Sequence, residues 1–339
     1  MTTDTSQKSA PRASNIAETA RRYALFVLLG LMLLGFWWAQ PAFINSANLF
    51  SILQAVSVVA ILGVGVSITM SAGGFDLSVG SVAASAVMAA SYAMVVLQLD
   101  AVSTFILVLA IGALIGLANG LLIVKVGVPD LLATLSTMFL LAGLQLIPTG
   151  GRSITAGMVL PDGSTAKGAY DPAFLLLGRS RLFDIVPLPV VIMAVVAVIA
   201  LFLMERTRFG RVFYAIGGNE TAAHLAGAPT KAYRLAAYII SGTLASLGGL
   251  IIASRVGRGD VSAGNSLLLD AVAASLIGFA VLDKRRPHVL GTVLGAIFVG
   301  VLLNGLTMLN APYYTQDFVK GAVLVGALAL TFGLGKRKR

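Results

Sequence analysis

Ten apolar runs separated by short polar breaks divide this chain. They fall at residues 23–40, 49–71, 76–97, 101–124, 131–148, 186–204, 232–254, 267–282, 289–309 and 317–334. A helix needs about 20 consecutive apolar residues to cross a bilayer, and only the eighth run falls well short of that length. Within hydrocarbon every backbone N–H and C=O must be satisfied inside the segment, so runs of this kind read as helices. The expected fold is therefore all-α and polytopic, with about ten transmembrane helices in a single domain over residues 21–339. Residues 1–20 are polar and rich in Ser, Thr and Ala, and read as a disordered tail. No small-x-small cleavage site follows the first run, so it reads as a span and not as a removable leader.

Composition agrees with the pattern. Hydrophobic residues make up 58% of the chain and charged residues 11%, with a mean hydropathy of +0.92. A soluble domain averages about 25% charged residues, so this chain has too few to cover a water-facing surface. The net charge of +10 does not point to nucleic acid, because the cations collect in the short breaks between apolar runs. Ten spans put both termini on one side, and positive charge chooses the cytoplasm for them. That side then holds Lys8, Arg12, Arg21, Arg22, Lys125, Arg206, Arg208, Arg211, Lys231, Arg234, Lys284, Arg285, Arg286 and the terminal Lys336-Arg337-Lys338-Arg339. Arg152, Lys167, Arg179, Arg181, Arg255, Arg258 and Lys320 fall on the other side.

Several chemistries are excluded by what the chain lacks. There is no cysteine, so disulfides and thiolate metal sites are ruled out. There is no G-x-x-x-x-G-K-[ST] loop, so nucleotide phosphates are not held by that route. The two histidines, His224 and His288, fall in separate cytoplasmic loops without metal-ligand spacing. With three glutamates in the whole chain, a membrane-embedded enzyme lacks the convergent groups it would need. No cofactor is expected.

Within the spans a weak internal repeat is visible. The run Phe75-Asp76-Leu77-Ser78-Val79-Gly80-Ser81 opens the third, and Leu269-Asp270-Ala271-Val272-Ala273-Ala274-Ser275 opens the eighth. Ala118-Asn119-Gly120-Leu121 in the fourth is matched by Leu303-Asn304-Gly305-Leu306 in the ninth. Spans three and eight run in opposite directions, so the halves read as inverted repeats of the kind common in transporters. Chance matching between apolar segments is the alternative. Gly112, Gly116 and Gly120, and again Gly291 and Gly295, are small-xxx-small steps that let helices approach closely. Asn119 and Asn304 are amides at membrane depth, candidates for a translocation pathway or for helix–helix hydrogen bonds. Asp76 and Asp270 lie near span ends and read as helix caps.

The longest polar interruption on the cytoplasmic side, 205–231, carries its own short helix. Asn219 is a good N-cap, Glu220 puts negative charge at the positive end of the dipole, and Gly227 followed by Pro229 stops the helix. Ala222, Ala223 and Ala226 give it a small-residue face, suited to docking on a soluble partner. An ordinary surface turn is the other reading.

At these residues the chain resembles a family. Gly73-Gly74-Phe75-Asp76-Leu77-Ser78-Val79-Gly80-Ser81 is similar to the signature of the membrane permeases of ribose/xylose/galactose-type ABC importers. Thr207-Arg208-Phe209-Gly210-Arg211 with Tyr214-Ala215-Ile216-Gly217-Gly218-Asn219-Glu220-Thr221-Ala222-Ala223 and Leu225-Ala226-Gly227 is similar to that family's coupling loop. The likeness continues through Ser241–Gly249, Leu269–Ala274, and Tyr313-Tyr314 with Val319–Ala322, and is strongest to the ribose-importing members. It implies the inverted-repeat fold of type II ABC importers in a bacterial inner membrane. Gly74, Asp76, Ser78, Gly80 and Asp270 would be the structural signature. Gly218, Asn219, Glu220, Ala223 and Gly227 would form the coupling helix against a cytoplasmic ABC ATPase, which itself binds the ATP. The resemblance also implies a second permease copy, a homodimer, and a periplasmic sugar-binding protein. Arg152, Arg179, Arg181, Arg255 and Arg258 are candidates for docking that protein. The solute would be ribose or a similar simple sugar. An ion-coupled secondary transporter of a small polar solute is the alternative, which the lack of intramembrane charge pairs disfavours. One departure stands out: the family's Gly-rich segment after span eight is replaced by Ile277–Pro287, with a single glycine.

Overall fold

The computed structural model describes residues 12–264, 266–281 and 286–333. It begins with α1 (Arg12–Ala39), α2 (Ser46–Ser71), α3 (Val79–Val95), α4 (Ala101–Leu121) and α5 (Asp130–Leu144). A long connection then carries α6 (Pro172–Arg179) and a two-residue hairpin of β1 (Arg181–Leu182) with β2 (Val186–Pro187). α7 (Leu188–Arg206), α8 (Arg208–Gly218) and α9 (Glu220–Leu225) lead into α10 (Thr230–Val256). α11 (Leu267–Val281), α12 (Val289–Met308) and α13 (Tyr313–Gly333) complete the chain.

The ten expected spans correspond to α1, α2, α3, α4, α5, α7, α10, α11, α12 and α13. Among the described residues six are long and apolar enough to cross a bilayer: α2, α4 with its π-helical extension to Val126, α5 continued to Thr149, α7, α10 and α12. α1 starts at Arg12, so residues 12–20 are helical where a disordered tail was expected. Ala17, Glu18, Ala20, Arg21 and Arg22 are helix formers directly ahead of an apolar run, and they extend it backwards. Residues 1–11 lie outside the described residues, as do 282–285 of the segment that departs from the family.

Boundaries follow local chemistry. Asn45 caps α2 by accepting from Ala47 N at 3.1 Å, and Asp100 caps α4 by accepting from Val102 N and Ser103 N. α5 and α7 each follow a proline, Pro129 and Pro187, whose fixed φ suits the residue before a first turn.

The centre of the molecule is the pair α2 and α10, which pack on each other. α10 also packs on α3 and α4, while α2 packs on α11 and α12. Each half of the repeat thus lends its second helix to the other half, a crossover that binds the halves into one core. The α4–α10 approach is the closest. A Cβ at Gly112 would collide with the Gly242 carbonyl and Ser246, and one at Gly116 with the Tyr238 carbonyl. The glycines let these two backbones touch.

α3 and α11 are the short members, 17 and 15 residues, or roughly 25 and 22 Å at 1.5 Å per residue. Neither spans a ~30 Å hydrocarbon core alone. Each is preceded by irregular chain, 72–78 and 257–264, and their first turns abut: a Cβ on Gly80 would lie 3.0 Å from Leu268 N. The first of these, 72–78, lies at membrane depth, where non-helical backbone survives only if protein surrounds it, and Asp76 and Ser78 are fully buried.

Candidate functional site

The structure gathers the singled-out residues into three places. The first is the pair α8–α9. Phe213 and Ile216 of α8 are buried, and Phe213 meets the Tyr233 ring edge-on with centroids 5.6 Å apart. At the end of α8, Gly217 lies directly on the Ser71 carbonyl at the end of α2, with no room for a Cβ. Asn219 then leaves the helix in extended conformation (φ −161°), and its Oδ1 accepts from Ala222 N at 2.9 Å. Gly227 takes φ +85°, a left-handed conformation that only glycine adopts freely, and its N–H donates to His224 O. Both cap assignments hold.

α9 is tied to the transmembrane helices by one arginine. Arg234 of α10 donates from Nη1 to Glu220 Oε2 at 3.1 Å, and from Nη2 to both oxygens of Asp130 at 2.8 and 3.0 Å. Three elements, α9, α10 and α5, meet on that guanidinium. Ala223, expected on the docking face, is buried and faces the protein. The outward face instead carries His224 and Leu225, the latter 82% exposed. A helix this short has no periodicity from which to read its outward side.

At the same end of the bundle Glu205 of α7 collects a second cluster. Arg286 Nη2 lies 3.0 Å from Glu205 Oε2 and stacks over the Tyr214 ring at 4.2 Å. His288 Nε2 lies 3.3 Å from Glu205 Oε1, and Tyr214 Oη donates to the same oxygen at 3.4 Å. Burial, with the Glu205 carboxylate beside it, pushes the Tyr214 phenol up to about 12.

The second place is a buried polar chain at mid-depth. Thr137 Oγ1 donates to Asn119 Oδ1 (2.6 Å), Asn119 Nδ2 to Ser78 Oγ (2.9 Å), and Ser78 Oγ to Asp76 Oδ1 (2.6 Å). Ser78 N also donates to Asp76 Oδ1, and Ser241 Oγ donates to Asp76 Oδ2 at 2.7 Å. Ser241 lies about 16 Å along α10 from Thr230 at 1.5 Å per residue, well inside the membrane. The cap assignment for Asp76 is therefore corrected: α3 starts only at Val79, and the carboxylate joins α10 to the break before α3. Burial in the protein forces the carboxylate to find donors; Ser78 supplies two locally and Ser241 of α10 supplies the third. Asn119 ties α4 to α3 and α5. Gly74 packs on the Tyr238 hydroxyl, so it too serves this junction.

The third place lies at the end of the bundle opposite α9. Asp270 does not cap α11 either; it stands one turn in, and Lys320 Nζ of α13 donates to its Oδ1 at 2.8 Å. Both side chains are about nine-tenths buried, so an intramembrane charge pair exists where none was expected. It is invisible in sequence because the partners sit on different helices. Asn304 exchanges two hydrogen bonds with Asn48 of α2, at 3.0 and 3.1 Å. Of the candidate arginines, Arg179 donates to the Arg255 and Val256 carbonyls and so caps α10, and Arg258 pairs with Asp260 at 2.7 Å. The Ser262 backbone and hydroxyl donors, with Arg258, hold Asp260 down at about 2. Arg152 and Arg181 are exposed on that end, and Arg255 stands at the mouth of a cavity. Among the described residues no group of three or more His, Cys, Asp or Glu is placed to hold a metal ion.

Comparison with known proteins identifies the family. The Ribose import permease protein RbsC of Haemophilus influenzae is 35% identical over 316 residues, covering 93% of each chain. RbsC of Bacillus subtilis is 35% identical over 293 residues, covering 86% of each. The Xylose transport system permease protein XylH of Escherichia coli is 30% identical over 348 residues, covering 89% of this chain and 88% of that one. No solved structure matches. The profile of the family described as "Branched-chain amino acid transport system / permease component" matches residues 48–328, and with the bundle described above this chain belongs to that family of multi-pass membrane permeases, a transport subunit and not an enzyme.

Proposed function

We propose that this chain is the membrane subunit of an ATP-driven importer of a monosaccharide, ribose or a sugar like it. The observation that carries the reading is the α8–α9 knob. It is capped at both ends, rooted on α2 through Gly217 and on α10 and α5 through Arg234, and presents His224 and Leu225 outward. α9 is the contact for a cytoplasmic ATPase, and that end of the molecule and both termini lie in the cytoplasm, as the positive charge around it favours. Gly218, Asn219, Glu220 and Gly227 set the knob's shape, and Leu225 is its apolar anchor.

The mechanism follows from what the knob touches. When the ATPases close on nucleotide, α9 is displaced, and its attachments pass the motion to α2, α10 and α5. α2 and α10 are the central helices, and the Asp76 junction joins α10 to the break between α2 and α3. A rigid push is thus delivered to the two helices shared between the halves, which re-biases discrete packings. At the opposite end a periplasmic sugar-binding protein delivers the solute, with the exposed Arg152 and Arg181 as cations for its carboxylates. A second copy of the chain completes the pathway. Solute passes beside the signature helices α3 and α11, with Asn119 and Asn304 bracing the helices that line it.

The family's description favours a second reading, a branched-chain amino acid as solute. One experiment separates the two. Proteoliposomes holding this chain, its ATPase and its binding protein are given labelled ribose, xylose, galactose and leucine, with and without ATP. ATP-dependent accumulation of a sugar and not leucine is expected. Uptake of leucine alone, or sugar uptake at full rate without the ATPase, overturns the proposal.

A further inference from the structure

A cavity of about 290 Å3 opens between α2, α10, α11 and α12 on the end opposite α9. Its volume is at the small end of the ~300–1,000 Å3 range typical of ligand sites. Polar groups ring its upper part: Ser51, Thr307 and Arg255 near the mouth, Asn304 and Asp270 deeper. Its remaining wall is apolar, formed by residues such as Val56, Val59, Val299 and Leu303.

Three of the polar groups are incompletely used. The Arg255 guanidinium has no hydrogen-bond or ion-pair partner among the described residues, and only the Arg255 backbone carbonyl is engaged, by Arg179. An arginine in the last turn of a membrane helix without a counter-charge is a functional suspect. Asp270 is engaged by Lys320 through Oδ1 alone. Lys320 is shared with Asp317, at 3.2 Å, and the second oxygen of Asp270 remains an acceptor. Asn304, after its exchange with Asn48, keeps one amide N–H and one lone pair.

We propose that this cavity is a solute subsite for one monosaccharide ring, with Arg255 donating to, and Asp270 and Asn304 accepting from, adjacent hydroxyls while the valine wall meets the ring's C–H face. A hydroxyl both donates and accepts, so a cation and a lysine-paired carboxylate on one small cavity match a diol better than a single charge. The apolar wall matches the ring carbons, and the volume suits one ring. The inference rests on the sugar reading above and names where in each copy the solute is held after delivery.

The chain contains no cysteine, so an introduced thiol is the only one on this subunit, and labelling is read on the subunit after it is separated from its partners. In the complete importer in proteoliposomes, Ala55→Cys is treated with a membrane-impermeant methanethiosulfonate, with ribose, a sugar acid of the same size, or neither. Leu182→Cys, on the exposed hairpin, is the control. Ribose is expected to slow modification of Ala55→Cys severalfold and leave Leu182→Cys unaffected. Arg255→Gln should weaken that protection about tenfold, the loss of one charge-assisted hydrogen bond, and Arg255→Lys should restore part of it. Ribose uptake by wild type is read in parallel. Uptake without protection overturns the subsite alone, and protection by the sugar acid only overturns the neutral-ring assignment. Absence of uptake for ribose, xylose and galactose overturns the sugar reading and the subsite with it.

Discussion

Replacing Arg234 with Met removes the guanidinium on which α9, α10 and α5 meet, while keeping a side chain of similar reach. The Asp130 half of the contact is bidentate, and both partners are less than one-fifth exposed. Breaking a fully buried pair costs about 3–5 kcal/mol and an exposed one about 0–1, so this partly buried half is worth about 2 kcal/mol. The Glu220 half is 44% exposed on the carboxylate side, and solvent screening reduces it to about 0.5 kcal/mol or less. Only the Glu220 half holds α9, so the substitution gives roughly a twofold shift toward an undocked α9, while the Asp130 half joins α5 to α10. The assays are hydrogen exchange at the amides of Ala222 to Gly227 in detergent, and unfolding in a cycle with Asp130→Asn. Exchange there should accelerate by about that factor, while the core of α10 is unchanged, and the unfolding cycle should return most of the roughly 2 kcal/mol as coupling between Arg234 and Asp130. Unchanged exchange across α9, or a coupling energy near zero, would refute the claim that this arginine roots the knob.

Other substitutions test the remaining contacts. Asp76→Ala strands Ser78 N, Ser78 Oγ and Ser241 Oγ, at about 1–3 kcal/mol per buried donor, so thermal unfolding in detergent should begin at clearly lower temperature than for Asp76→Asn. Equal melting of the two would show that the carboxylate's acceptors do not matter. Gly116→Leu should abolish monodisperse protein by forcing α4 off the Tyr238 carbonyl, while Gly143→Leu, with no atom within 4 Å of its Cβ position, should be tolerated. The Asp260 pKa is lowered from 3.8 to about 2. Its contribution is complete above pH 4 and disappears as pH falls toward 2, because the unfolded chain takes up the proton first. Proteolysis of the 257–264 connection by an acid protease should accelerate over that window in wild type and be pH-independent there in Asp260→Asn.

How much of this was legible in the chain depends on the range of the interaction. Hydropathy places the spans because a membrane helix satisfies its own backbone, and the caps of α9 are readable because Asn219 and Gly227 act within three residues of themselves. What could not be read is everything joined across the bundle. Asp76 and Ser241 are 165 positions apart, and Asp270 meets Lys320 only after α13 folds back. Proximity to a span end made both aspartates look like caps. The break before α3 was legible only in part: residues 72–75 fall between the second and third runs, but Asp76, Leu77 and Ser78 were counted into the third, whereas α3 starts at Val79. Leu225 was missed because exposure of an apolar side chain on two turns of helix is a property of the packed structure.

The central claim is that α9 transmits between an ATPase and the transmembrane helices. It is tested most directly by ATP hydrolysis in proteoliposomes holding this chain and its ATPase, with and without sugar-loaded binding protein. Wild type is compared with a variant carrying Glu220→Lys and Gly227→Trp, first checked for normal insertion. The account predicts that loaded binding protein stimulates hydrolysis in wild type severalfold, and that the variant hydrolyses ATP without responding and without transporting. Stimulated hydrolysis and uptake that are unchanged in the variant would contradict it, and would make α9 an ordinary loop.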